Sequence, residues 1–149
     1  MVPLLRSLSF PAAILLVAGV LSGCQAATNA PVSAEVLMDK AGQTILLEDF
    51  SYPDTNEPQV TSSIVTLEPG AETGLHFHEA PMYAYILEGT LEVTYQREGG
   101  EETKIYREGE AIMEGLDTPH NGRNATNSVV RVLVVNMGSP DLENTVMLN

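Results

Sequence analysis

The chain predicts an all-β, antiparallel sandwich or barrel, and three observations carry that expectation. No stretch of useful length shows the 3.6-residue spacing of an amphipathic helix. Short runs rich in Val, Ile, Thr and Tyr recur instead, at 35–39, 44–49, 59–68, 74–78, 82–87, 90–97, 103–107, 110–114 and 128–137. Gly, Pro, Asn and Asp separate them, as expected where many short strands close on one another.

These runs lie in the later part of the chain. Residues 1–8 carry one charge, Arg6, and residues 10–23 are almost wholly apolar. A short basic start, a brief apolar stretch and small residues make a secretory signal peptide, too short to span a membrane as a helix. Residues 1–23 are therefore set apart from the fold. Cys24 is the sole cysteine and follows Leu21-Ser22-Gly23 directly. Leu-Ser-Gly-Cys resembles the lipobox of bacterial lipoproteins, in which the cysteine becomes the first mature residue and carries the lipid. The resemblance implies a lipid-anchored protein of the bacterial cell envelope, with membrane contact through Cys24. Lipidation also disposes of a thiol that has no internal disulfide partner. Gln25 after the cysteine, by resemblance to enteric lipoproteins, points to an outer membrane facing the periplasm in a Gram-negative host. Residues 24–34 are small and polar and read as a flexible tether.

The remaining 35–149 form one expected domain, large enough for a modest core. Without Arg6 the chain keeps 6 basic residues against 20 acids, a formal charge of −14. That charge argues against nucleic acid and anionic surfaces as partners. Several turns are legible. Pro69-Gly70 ends the strand at 64–67, Glu88-Gly89 reads as a tight hairpin, and Gly99-Gly100 sits in an acidic loop. Residues 129–135 are apolar on both parities except Arg131, as in a central strand covered on both faces. Pro53–Pro58 is a polar loop suited to a rim or lid.

Chemistry concentrates in three histidines, the chain's full complement. His76 and His78 stand two apart, on one face of a strand. Taken alone, the pair fits a metal site or two hydrogen-bonded surface side chains equally well. His120 follows 42 residues after His78, and with it the residues resemble a known family, the cupins. Gly70-x5-His76-x-His78 and Gly89 match the first cupin motif, and Gly109, His120 and Asn124 match the second. The resemblance spans about residues 60–137. It implies a jelly-roll-like antiparallel barrel whose mouth holds a divalent transition metal on His76, His78 and His120. Iron is the first expectation, with Ni, Cu, Zn or Mn as alternatives. Asn124 is expected to be structural. The resemblance also makes a homodimer the default, and Tyr83 and Tyr85 are placed on the outer face, where a partner would pack.

Two departures from the motifs bear on mechanism. Met82 stands where the first motif usually has a glutamate; it reads as a pocket wall or as a weak thioether ligand that would favour copper. Gly115 and Asp117 replace the proline and glycine of the second motif. Glu114, six residues before His120, offers a fourth ligand, a general base near the metal, or a solvated strand end. Met82, Ala84, Ile86, Leu91 and Val93 are expected on the pocket face, which suits a small, partly apolar ligand. Carboxylate-free three-histidine cupins resemble Fe(II) dioxygenases acting on small chelating substrates. A non-catalytic envelope module that binds metal or a small ligand is the alternative.

Overall fold

The computed structural model describes residues 32–149, of which Glu35–Asn149 form one compact unit. The expected signal peptide and Cys24 lie outside the described residues. Nine strands follow in order: β1 Gln59–Leu67, β2 His76–Phe77, β3 Met82–Glu88, β4 Thr90–Arg97, β5 Gly100–Arg107, β6 Ala111–Met113, β7 His120–Arg123, β8 Val130–Gly138 and β9 Val146–Met147. There is no helix among the described residues. The strands build two antiparallel sheets, β1-β8-β3-β6 and β5-β4-β7-β2-β9.

Alternation along the strands makes the interior. On the four-stranded sheet, direct pairing sets inward residues in rows: Thr61, Asn136 and Met82; then Ser63, Val134, Ala84 and Ile112; then Val65, Val132 and Ile86. Opposite them, β4 turns Leu91, Val93 and Tyr95 inward, and all three are buried. The outward Tyr83 and Tyr85 are half-buried. Ile86 is fully buried in the core cluster and does not reach the cavity, unlike Met82, Ala84, Leu91 and Val93.

Glu88-Gly89 is not a hairpin. β3 and β4 belong to different sheets, so the chain turns a corner there. Gly89 takes φ +83°, and a Cβ on it would lie 2.6 Å from the Val129 carbonyl, so both conformation and space require glycine. The tight hairpin comes instead at Glu98-Gly99, where Arg97 pairs with Gly100. β8 is central, between β1 and β3. Its outer face is not fully covered: Arg131 is exposed, and Leu133 and Val135 are only half-buried.

Neither early run forms a strand. Residues 35–39 have none, and 44–49 fold as a tight loop closed by the bridge between Gln43 and Asp49. The Thr44 hydroxyl accepts the Leu46 and Glu48 N–H groups, offering the backbone an alternative to a ladder. The loop inserts Leu46, 3% exposed, into the core. Pro53–Pro58 does not line the cavity. Asn124 acts as a structural clamp. Fully buried, its amide donates to the carbonyls of Leu67 and Ser128, and its carbonyl accepts from the Thr126 backbone and hydroxyl.

Candidate metal centre

Between the two sheets lies a cavity of about 410 Å³ whose lining surface is mainly apolar. The three histidines meet at it. His76 on β2 pairs directly with His120 on β7, so their side chains rise side by side. The same cross-strand row continues to Tyr95 on β4 and Met147 on β9. His78 lies just beyond β2 and turns to the same site. Ring centroids are 4.4 Å apart for His76 and His120, 5.0 Å for His76 and His78, and 5.1 Å for His78 and His120. All three are buried, and their potential ligand atoms lie within 4.8 Å of one another.

Backbone carbonyls set the tautomers. Nδ1 of His76 bonds the Gly74 carbonyl at 2.8 Å, Nδ1 of His78 that of Asn144 at 2.6 Å, and Nδ1 of His120 that of Thr118 at 2.8 Å. A carbonyl only accepts, so each Nδ1 carries the proton and each Nε2 keeps a lone pair. The buried Nε2 of His78 has no hydrogen-bond partner among the described residues. A buried acceptor without a donor is costly unless something binds it. Burial also pushes His78 and His120 down to about 4, against their carbonyl bonds, so both are neutral at pH 7. Three imidazoles whose Nδ1 atoms are each tied to a carbonyl, leaving Nε2 for a ligand, fit a divalent transition metal, whose nitrogen ligands stand roughly 2.0–2.1 Å away in the case of zinc.

Glu114 is 6% exposed and so is no solvated strand end. It lines the cavity but stands outside the histidine cluster. Its Oε1 accepts the Tyr95 hydroxyl at 2.6 Å and the Gly115 N–H at 2.8 Å. Burial raises its pKa, and these two bonds oppose the rise. Tyr95 and Tyr106 hydroxyls are 2.9 Å apart. With Tyr95 donating to Glu114, Tyr106 must donate to Tyr95, giving a directed chain from Tyr106 through Tyr95 to Glu114. Burial raises both tyrosines' pKa values, keeping the chain protonated. Met82 is a buried part of the cavity wall.

Sequence reasoning missed Tyr95, Asn136 and Asn144. Tyr95 shares the parity of Leu91 and Val93, which was the available signal. Asn136 shares the inward parity of Val132 and Val134. Nothing local marks Asn144, whose carbonyl orients His78 from 66 residues away.

Residues 63–136 match the family model described as "Cupin domain". That segment is a cupin domain, and the two-sheet barrel is a cupin-type fold. No curated protein matches the chain. Among solved structures, it is similar to Bacillus subtilis oxalate decarboxylase in work on that enzyme's Mn(II) centres, at 24% identity and TM-score 0.53, covering 60% of this chain and 24% of that one. The same enzyme at pH 4.6 gives 25% identity and TM-score 0.53, covering 60% and 23%. The Lactobacillus farciminis oxalate decarboxylase formate complex gives 20% and 0.52, covering 60% and 26%. The chain thus spans about a quarter of the length of these proteins.

Proposed function

We propose that this domain holds a divalent transition metal, iron first, on Nε2 of His76, His78 and His120, and acts as a dioxygenase on a small chelating substrate. The observation that carries the reading is the set of three imidazoles, each oriented by a backbone carbonyl, converging on one largely apolar cavity. Such an ion supplies Lewis acidity and, as Fe(II), oxygen chemistry. Manganese is the first alternative, since the similar oxalate decarboxylase has Mn(II) centres. Nickel, copper and zinc also suit imidazole.

The chain's own residues set the conditions. Met82, Ala84, Leu91, Val93 and Val134 line the chamber with apolar surface. Glu114 borders the same chamber and is available to take a proton from a bound substrate, with Tyr95 fixing its orientation. The test is oxygen uptake by the Fe(II)-loaded protein with thiols, diketones and flavonols. Uptake should vanish in His76→Ala. In Glu114→Gln, which keeps an acceptor for Tyr95 but cannot take the proton, the rate should fall by about 10²-fold or more at unchanged iron content. An unchanged rate would make Glu114 structural.

A non-catalytic binding module is the second reading, favoured by Met82 standing where the cupin motif usually supplies a carboxylate ligand. Retained metal, no oxygen uptake, and a ligand-dependent rise in Tm would select it.

We also propose that Cys24 is lipidated and tethers the domain to the bacterial envelope. Labelled fatty acid should enter the protein expressed in a bacterial host and be absent from Cys24→Ala. Equal labelling of both would overturn the anchor.

A further inference from the structure

Two buried side-chain polar atoms among the described residues have no hydrogen-bond partner: His78 Nε2 and Asn136 Oδ1. Both residues line the same cavity. The proposed metal accounts for the first and leaves the second unexplained. Asn136 is 6% exposed and faces inward from β8, which holds apolar Val130, Val132 and Val134 on the same parity. A strand otherwise suited to an apolar core thus spends its last inward position but one on an amide. Its cross-strand neighbours are Thr61 on β1 and Met82 on β3, both lining the cavity.

We infer that Asn136 is a specificity-determining residue, which hydrogen-bonds a neutral hydroxyl on a ligand whose other end chelates the metal. The inference rests on the metal reading above and adds the ligand's second end. An uncharged end fits best, because the cavity lining contains no lysine or arginine to neutralise an anion, and its one acid, Glu114, is already bonded to Tyr95 and Gly115. A hydroxyl both donates and accepts, so it satisfies either face of the amide, with the Thr61 hydroxyl beside it as a further partner. Val134, Ala84, Leu91 and Val93 line the same cavity, which suits an apolar portion of the ligand. The ligand class is therefore a small hydroxylated molecule with a bidentate oxygen chelator at one end.

Hydroxamates supply the probe, because the group chelates divalent metals whatever its chain. The full-length protein, loaded with Fe(II) or Zn(II), is titrated with ω-hydroxyalkyl hydroxamates of increasing methylene count. Each is compared with the isostere in which methyl replaces the terminal hydroxyl. At the chain length that reaches Asn136, the hydroxyl compound should bind about tenfold more tightly. In Asn136→Leu, or Asn136→Val should leucine impair folding, that preference should fall to within about twofold at unchanged metal content. Hydroxamate binding with no hydroxyl preference at any length, or a preference that survives both substitutions, overturns the role of Asn136 and leaves the metal site standing. Failure to take up metal overturns both.

Discussion

Replacing His120 by alanine is expected to take the metal content of the purified protein from about one ion per chain to a small fraction of that. His120 sits in the cross-strand row between Tyr95 and His76, and its ring lies within about 5 Å of both other imidazoles. Two histidines remain in the variant, and the cluster offers no carboxylate to replace the third. Loss of an orienting partner alone typically costs 10–100-fold in metal affinity, so loss of a ligand should exceed about 100-fold. Here the three orienting partners are all backbone carbonyls, beyond the reach of side-chain substitution. The exception is Gly74, whose carbonyl holds His76. It takes φ +80°, and a Cβ on it would lie 2.9 Å from Cε of Met147. Gly74→Ala should therefore weaken metal retention by about 10–100-fold while all three ligands remain. Elemental analysis and competition with a chelator measure both. Full metal content in His120→Ala would refute the three-histidine site.

The histidine cluster was legible because two kinds of regularity coincide there. Strand parity puts His76 and His78 on one face, and motif spacing brings in His120. Strand existence was equally legible for β3, β4 and β8, where β-branched and aromatic residues dominate. The failures have physical causes. β7 reads His-Asn-Gly-Arg and has no apolar signal; it is a strand because β4 and His76 offer partners on either side. β9 is two residues long and is defined by its pairing with β2. The expected hairpin at Glu88-Gly89 failed because a glycine at positive φ serves a corner between sheets as well as a hairpin turn, and local residues do not say which. The 44–49 run failed because Thr44 satisfies its own loop's N–H groups. Tyr95 and Asn136 were missed for another reason. Their parity was readable, but their importance comes from what faces them across the barrel, Glu114 in one case and an unfilled hydrogen-bond position in the other.

Acidification should destabilise the metal-free domain between about pH 6.5 and 4, and the sign follows from the buried histidines. His78 and His120 are held down to about 4 in the folded protein, whereas an unfolded histidine titrates near 6.5. Between those values the unfolded chain binds two more protons than the folded one. Stability therefore rises with pH across this window and is lost as the pH falls through it. Each histidine contributes on the order of 3 kcal/mol to that loss. Glu114 acts in the opposite direction. Its raised pKa means the folded carboxyl keeps its proton above the unfolded value, so acidification recovers stability from it. One carboxyl cannot cancel two imidazoles once both are protonated in the unfolded chain, so stability still falls on acidification through the lower part of this window. Urea midpoints measured at intervals from pH 7.5 to 4, after treatment with a chelator, should show the decline. His120→Asn, which retains an N–H donor but does not titrate, should flatten it by at least about half. Metal saturation should displace the decline to lower pH, because the ion competes with protons for the same Nε2 lone pairs. A metal-free protein with a flat profile from pH 6.5 to 4.5 would show that the histidines are not buried as neutral bases, and the argument for a preformed metal site would fall with them.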